Sequence, residues 1–242
     1  MSVRLALAGD AGAVRAGEAG MAAFLGRLVR WDKAAVVRLR SAEEEPALGV
    51  FGQPPFGSVL AVRSMALGGA GVGQAVDATV SAGELLEAVA AAADGGEFTV
   101  PASVTGPSWA GLLPPRTGWR REAELDPAAV REAAARTVAE FRARTEALVP
   151  EQRTRAGLDA LAEELWRRPL GGPADVPPAG GVEVPLRLVH AAHALGFLRP
   201  GGPEQDAPAV LTAGPWLRLR TGYGSVAMRT ATAAAGLTVS PR

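Results

Sequence analysis

The two histidines of the chain, His190 and His193, are the residues whose spacing first suggests chemistry. Three positions apart on a helix, they present both imidazoles on one face, as a metal site or a proton transfer requires. No His-Glu-x-x-His motif accompanies them, and the nearest acidic residue along the chain is Glu183. A hydrolase or metal enzyme that uses His190 and His193 is one hypothesis. The other is that both rings border the apolar stripe of their helix and form local hydrogen bonds.

Tryptophan and arginine lie close together in two further segments. A guanidinium over an indole ring forms a cation–π pair and keeps N–H donors for an anion. The alternative is that the tryptophans fix loops to the core while the arginines bind carbonyl groups or carboxylates. The predicted ligand- or partner-binding residues are Trp109, Arg116 and Trp119 in an irregular segment, Trp216, Arg218 and Arg220 on one face of a strand, and His193.

Three glycine-containing segments resemble catalytic or nucleotide motifs but lack the required context. Residues 106–110 (Gly-Pro-Ser-Trp-Ala) approximate a nucleophile elbow, yet two prolines follow where that motif needs a helix. Residues 68–73 and 9–12 lack the spacing of a dinucleotide fingerprint. The single lysine, Lys33, has no glycine loop before it, which excludes a Walker motif. The sequence therefore predicts no bound cofactor.

Composition limits the remaining functions. The chain has no isoleucine or asparagine and one lysine, a bias typical of a GC-rich genome. Its 25 basic and 25 acidic residues cancel, so no overall field attracts polyanions. The absence of cysteine excludes disulfides, thiolate metal sites and thiol catalysis. No apolar run is long enough for a membrane span or a secretory signal, so we expect a cytoplasmic protein without membrane partners.

The hydrophobic pattern predicts a β-rich N-terminal half and a helical C-terminal half. In the first half, short turn-forming connections between strand-like runs favour an antiparallel meander, and residues 101–125 are expected to be irregular. The expected elements there are strands over 3–7, 35–40, 48–53, 58–67 and 75–80, a helix over roughly 15–30, and a helix that starts at the capping box Ser81–Glu84.

In the second half, Asp126 caps a helix with Pro127 at its first position. A break at Pro150 and a second helix over 155–168 predict a helical hairpin. A third helix should run from Pro185 to Gly196. The final runs, 216–220 and 225–228, flank Thr221-Gly-Tyr-Gly224, which is typical of a β-hairpin turn.

The predicted fold class is α+β, with an antiparallel β-meander in the N-terminal half. A helical hairpin, a third helix and a closing β-hairpin make up the C-terminal half. We divide the chain into a β-rich half, residues 1–120, and a helical half, residues 121–242. The two form one integrated domain or two tightly packed subdomains. Residues 171–182 and 200–208 have the proline- and glycine-rich composition of linkers.

The order helix, helix, hairpin over 155–229 also occurs in winged-helix proteins, in which Arg218 and Arg220 would sit in the wing. Residues 185–242 contain six basic and two acidic residues, a net charge of +4 that is consistent with this alternative. The long connection between the two helices departs from the tight turn of that motif. A DNA-binding regulator is therefore a second hypothesis, and nucleic acid is not the favoured partner.

Five blocks of the sequence together resemble a group of hypothetical cytoplasmic proteins from high-GC actinobacteria. The resemblance covers most of residues 20–230 and implies one integrated domain that includes the linkers. It implies no activity and no functional residue. The blocks are Val36–Arg40, Pro55–Arg63, Leu113–Trp119, Ala192–Leu198 and Gly214–Arg220.

The hypothesis that the sequence favours is a non-enzymatic α+β protein that binds a partner protein or a small anionic ligand. Its binding surface combines the two tryptophan–arginine groups, since recognition residues are concentrated in loops and irregular segments. The hypothesis depends on whether these groups, about a hundred residues apart, meet in the fold.

Overall fold

A computed structural model describes residues 3–8, 11–43, 46–69, 75–92, 97–171, 181–200 and 207–230. For residues 11–18 it describes the backbone alone. The glycine-containing segments 9–12 and 68–73 and the linker-like segments 171–182 and 200–208 lie partly outside the described residues.

Ten strands and five α-helices form within these ranges. The strands are β1 (Arg4–Leu7), β2 (Val36–Ser41), β3 (Ala47–Gly52), β4 (Leu60–Gly68), β5 (Val76–Ser81), β6 (Glu97–Thr99), β7 (Arg120–Glu124), β8 (Ala209–Ala213), β9 (Trp216–Thr221) and β10 (Gly224–Arg229). The helices are α1 (Ala11–Trp31), α2 (Ala82–Ala91), α3 (Pro127–Ala147), α4 (Arg155–Arg167) and α5 (Leu186–Ala194).

The strands form one connected antiparallel sheet. Its main path is β5-β2-β3-β4-β10-β9-β8-β7, while β1 pairs with β4 and β6. The predicted meander β2–β3–β4 and the hairpin β9–β10 are both present, which confirms the α+β class. In the centre, Val62 of β4 lies opposite Ser225 of β10, and Leu60 lies opposite Ala227. The two halves of the chain are therefore joined by direct pairing of β4 with β10.

Both halves arrange their elements in the same order. A strand is followed by helix and then by a three-stranded meander: β1, α1 and β2–β4 in the first half, and β7, α3–α5 and β8–β10 in the second. The last strand of each meander forms the central β4–β10 pair. The sequence shows no matching repeat, so the correspondence lies in the fold.

Helices cover one face of the sheet, and strand alternation decides which side chains reach them. In β9, Leu217 and Leu219 are buried in the large core under the helices. Trp216 belongs to a separate, smaller apolar cluster. Trp216, Arg218 and Arg220 therefore point to the opposite face, which we call the open face.

The predicted helix boundaries follow from capping. Asp126 accepts hydrogen bonds from the N–H groups of Ala128 and Ala129 and starts α3. At the end of α5, Gly196 has a φ of 72°, and Phe197 N–H donates to the Ala192 carbonyl at 2.8 Å. This is a Schellman arrangement, in which glycine adopts the left-handed conformation at no steric cost, and it ends the helix where Gly196 predicted.

Three details of the fold differ from the sequence prediction. The helix α1 starts at Ala11 rather than near residue 15, and β6 was not predicted. Residues 101–125 are not wholly irregular, because Arg120–Glu124 form β7 at an edge of the sheet. Their sequence, Arg-Arg-Glu-Ala-Glu, lacks the apolar alternation from which a half-buried strand is recognised. No helix among the described residues is long and apolar enough to span a bilayer.

Candidate functional site

A strap, defined here as residues 103–119, crosses the open face of the sheet. It starts at one edge, where the Val104 N–H donates to the Thr79 carbonyl of β5 at 2.8 Å. It ends at Trp119, immediately before β7 at the other edge. In between, Ser108–Gly111 form a single turn of 3-10 helix. The strap brings an irregular segment of the first half over strands of both halves.

The two predicted tryptophan groups meet beneath this strap. Trp216 of β9 is buried, with 7% of its surface exposed, while Trp109 and Trp119 pack half-buried against its cluster. The indole Nε1 of Trp119 donates to the Pro115 carbonyl at 2.8 Å, which fixes the ring within the strap. The complete cluster consists of Leu60, Trp216 and Ala227 from the sheet and Trp109, Leu113 and Trp119 from the strap.

Arg218 contacts this cluster through the ring of Trp119. The Arg218 guanidinium carbon lies 5.3 Å from the ring centroid of Trp119, which is cation–π geometry. Its Nε donates to Ser225 Oγ at 2.9 Å. Burial, and secondarily the nearby charge of Arg220, lowers the pKa of Arg218 below its ordinary value. An arginine remains a cation at neutral pH even so, because its ordinary pKa is so high.

Beside the tryptophans lies a half-open cleft of about 160 Å³, which we call the strap cleft. It is bounded by the central strands of the sheet on one side and by the strap on the other. Its lining carries three arginines and no carboxylate. The lining residues are Arg40, Ala47, Gly49, Phe51, Val62, Ser64, Pro114, Pro115, Arg116 and Arg218.

Only Arg116 and Arg218 of the ten lining residues were predicted, and the missed residues with the largest side chains are Arg40 and Phe51. Arg40 lies on β2, where its Nε is 3.7 Å from a carboxylate oxygen of Asp77. Phe51 lies on the open side of β3. Alternation of charged and apolar residues in Val36–Arg40 signals that Arg40 leaves the core, but only the strand order places it near Arg218.

The two histidines have different surroundings from each other. His190 contacts Phe56 in an edge-to-face arrangement, with 4.9 Å between ring centroids, and lies 5.5 Å from the Trp166 ring. Its Nδ1 is buried and has no hydrogen-bond partner among the described residues. His193 is exposed on the same helix. His193 therefore lies away from the strap, and the other six predicted residues are those that converge on the open face.

The described residues contain no group of three or more His, Asp or Glu side chains placed to hold a metal ion. His190 instead belongs to an aromatic cluster with Trp31, Phe56 and Trp166. The guanidinium carbon of Arg187 lies 5.5 Å from the centroid of the Trp166 ring. The His190 ring therefore packs at the border of the core, but among the described residues its Nδ1 does not form the local hydrogen bond that the second interpretation included.

Because His190 is partly buried, we expect the free energy of unfolding to fall as the pH is lowered. Burial, and secondarily the charge of His193, lowers the pKa of His190 from 6.5 to about 4. Between these two pKa values His190 is protonated in the unfolded chain but neutral in the folded chain. The stability that depends on neutral His190 is therefore complete above about pH 6.5 and is lost as the pH falls toward 4. The loss amounts to about 3 kcal/mol at most, since one pKa unit corresponds to about 1.4 kcal/mol.

The measurement is the free energy of unfolding in urea between neutral and mildly acidic pH. Carboxylates also titrate in this range, so the wild type is compared with His190→Leu, which should lose stability less steeply on acidification. His193→Gln is the matched control, and it should retain most of the wild-type slope. Equal slopes for the wild type and His190→Leu would show that His190 does not carry the pH dependence.

The β9–β10 hairpin does not protrude as a wing. Its strands lie inside the sheet, where β10 pairs with β4 and β9 pairs with β8. Arg218 and Arg220 consequently lie on a sheet face, and the arrangement differs from the winged-helix alternative.

Comparison with known families divides the chain within the strap. Residues 4–111 match the model of a domain of unknown function (DUF8010), and residues 114–233 match that of another (DUF8185). A search among curated proteins gave no significant match. The boundary between the two matches falls at residues 112–113, so the strap cleft takes residues from both.

Among solved structures, the chain is similar to DNA polymerase sliding clamps. Against two structures of the Pseudomonas aeruginosa clamp, one with a ligand, it has 13% and 14% identity and TM-scores of 0.45 and 0.47. The similarity covers 93% and 100% of this chain and 66% and 68% of the two clamp chains. Against the Helicobacter pylori beta clamp with 3,4-difluorobenzamide, the identity is 9% and the TM-score is 0.46. The similarity covers 95% of this chain and 64% of that clamp chain. The chain thus spans about two thirds of the length of these clamps.

Proposed function

We propose that this protein binds a partner protein by accepting an acidic segment in the strap cleft. The observation that carries the proposal is the meeting of three arginines from three separate segments. Arg40 comes from β2, Arg116 from the strap and Arg218 from β9. These segments are distant in sequence and belong to both halves of the chain, so the fold itself creates the cationic cleft.

The charge of the cleft favours a carboxylate-bearing occupant. None of the ten residues that line it is acidic, and Arg218 is held by Ser225 and Trp119 rather than by a carboxylate. Hydrogen bonds between guanidinium and carboxylate are charge-assisted and are roughly twice as strong as neutral ones. An acidic side chain in the cleft gains such bonds.

Apolar groups in the cleft and exposed apolar groups elsewhere on the strap favour a protein segment over a small anion. On the strap, Val104 and Leu112 are 40% and 49% exposed. Phe51 forms an apolar part of the cleft lining. Arginine and aromatic residues are enriched in protein interfaces, whereas sites for small ligands usually enclose most of the ligand surface. A half-open cleft with an apolar border is suited to alternating acidic and aliphatic side chains.

The test uses fluorescent peptides that alternate glutamate with leucine, and matched peptides with glutamine in place of glutamate. We expect saturable binding of the glutamate peptides, measured by fluorescence anisotropy at low ionic strength. The double variant Arg40→Gln/Arg116→Gln should bind about ten-fold or more weakly, because it removes two charged hydrogen-bond donors. Higher salt should weaken binding to the wild type.

Arg142→Gln is the matched control, because Arg142 is exposed on α3, outside the lining of the cleft. It should leave the affinity unchanged. A parallel titration with succinate separates the two kinds of ligand: succinate that binds as tightly as the peptide would identify a small dicarboxylate as the occupant. Equal affinity of the wild type and the double variant for the glutamate peptide would contradict the proposal.

A further inference from the structure

The central sheet is interrupted next to the strap cleft. On one edge of β4, β10 pairs with Leu60–Val62 and β1 pairs with Leu67 and Gly68. Of the four residues between them, Arg63–Met65 have no strand partner on this edge among the described strands. Since Ala66 accepts a hydrogen bond from Ala8 on this edge, alternation directs the Ser64 N–H and C=O into the same opening.

We call this opening the notch. It has a volume of about 220 Å³ and adjoins the strap cleft, with which it shares Val62, Ser64 and Arg218. Arg40 and Arg116 line the cleft alone, while Arg63 and Arg220 line the notch alone. The complete lining of the notch is Val62, Arg63, Ser64, Arg218, Arg220, Thr221, Gly222, Tyr223, Gly224 and Ser225.

Three arginines from two strands line the notch. Arg63 of β4 donates through Nη1 to the Tyr223 carbonyl, and Arg218 of β9 donates through Nε to Ser225 Oγ. Arg220 is exposed two residues further along β9. Among the described residues, no carboxylate forms an ion pair with any of these three arginines. A guanidinium has five N–H donors, so the half-buried Arg218 and the exposed Arg220 keep several for a ligand.

The turn between β9 and β10 forms the rest of the notch and is held in place. The Thr221 hydroxyl donates to the Gly224 carbonyl at 3.0 Å and accepts from the Tyr223 N–H at 3.2 Å. The guanidinium carbon of Arg199 lies 4.2 Å from the centroid of the Tyr223 ring. Gly222 faces open space. The turn therefore has a fixed frame and is open to solvent at Gly222.

The electrostatic state of the arginines also favours an anion here. Burial, followed by the charges of Arg199 and Arg27, lowers the pKa of Arg63. Burial and the charge of Arg220 do the same for Arg218. Both shifts mean that the charged forms of Arg63 and Arg218 are held at a cost in free energy, chiefly because of burial and secondarily because of neighbouring arginines. A bound anion would reduce that cost.

We infer that the notch is a binding site for a phosphate-type oxyanion, either free phosphate or the phosphoryl group of a small molecule. Arg218 and Arg220 line the opening from the open face of the sheet, and Arg63 lines it from the side of the helices, where its guanidinium lies next to Gly20. Ser64 and Ser225 belong to the same lining. A tetrahedral oxyanion presents acceptors in several directions, whereas a planar carboxylate matches a single guanidinium fork. The inference is independent of peptide binding in the strap cleft.

The experiment titrates the full chain with inorganic phosphate and with glycerol phosphate by calorimetry at constant ionic strength, with acetate as the planar anion. We expect one saturable site for phosphate and much weaker binding of acetate. Glycerol phosphate binding more tightly than phosphate would identify a phosphate ester as the ligand, and equal or weaker binding would identify the free ion. Both outcomes support the inference.

Arg220→Gln should weaken phosphate binding about ten-fold, because it removes one charged donor from an exposed position without disturbing the core. Arg63→Met should weaken it at least as much, and its thermal unfolding is compared with the wild type because Arg63 is partly buried. Arg40→Gln/Arg116→Gln should bind phosphate with unchanged affinity although it loses the glutamate peptide. The inference is overturned by an absence of saturable phosphate binding, or by an affinity that Arg220→Gln leaves unchanged.

Discussion

Replacing Trp216 with alanine should lower the free energy of unfolding by about 3–5 kcal/mol, the usual cost of removing a large buried aromatic side chain. The indole of Trp216 is buried between the strap and the sheet, in one cluster with Trp109 and Trp119. Its removal should also release the strap, so that the glutamate peptide binds much more weakly. Urea unfolding measures the first effect and fluorescence anisotropy the second.

Trp216→Phe is the matched control, since it keeps an aromatic ring at the position and should lose less of both properties. If Trp216→Ala weakened folding but bound the glutamate peptide as tightly as the wild type, the strap would not form part of the binding surface. Hydrogen exchange in residues 104–113 gives a direct readout, because these amides should exchange faster in Trp216→Ala.

Replacing Phe56 with alanine should have a similar effect on stability, again about 3–5 kcal/mol, but without loss of peptide binding. Phe56 is 7% exposed on the helical side of the sheet. Its ring contacts Trp31, Trp166 and His190, with centroid distances of 5.4, 5.6 and 4.9 Å. The cavity left by the phenyl ring lies on the opposite side from the strap cleft, so the arginines of the cleft keep their positions.

Phe56→Leu fills part of the cavity and should recover part of the lost stability. The comparison of Phe56→Ala with Trp216→Ala separates stability from function, because both variants lose a buried aromatic ring. Binding that falls equally in both variants would mean that peptide affinity reports general destabilisation and not the integrity of the strap.

Much of the fold could be predicted from local patterns in the sequence. Alternation in Trp216–Arg220 correctly separated the side chains of the open face from those of the core. Asp126 and Gly196 marked helix boundaries because capping depends on a few neighbouring residues. These features are local, so a single chain contains enough information to identify them.

The assembly of the candidate site could not be predicted in the same way. The meeting of Arg40, Arg116 and Arg218 depends on the pairing of β4 with β10 and on the path of the strap across the sheet. Strand order is a tertiary property that hydrophobic periodicity does not report. Alternation along β4 predicted that Arg63 lies among core-facing residues. The notch that Arg63 lines could not be predicted, because it exists only where β1 and β10 leave a gap along β4.

The charged edge strand β7 was missed for a different reason. Its five residues include four charged side chains, so neither β propensity nor alternation supports a strand. Pairing with β8 supplies the missing stabilisation, with Arg120 opposite Thr212 and Glu124 opposite Ala209. Charged residues are common on edge strands, where they discourage pairing with other chains.

Hydrogen–deuterium exchange with and without the glutamate peptide tests the central claim most directly. If the strap cleft is the binding surface, the peptide should protect amides of the strap, of β3 and of β9, and this protection should disappear in Arg40→Gln/Arg116→Gln. Protection confined to the helical side, around His193 on α5, with the strap unchanged, would contradict the claim that the converging tryptophan–arginine groups form the binding site.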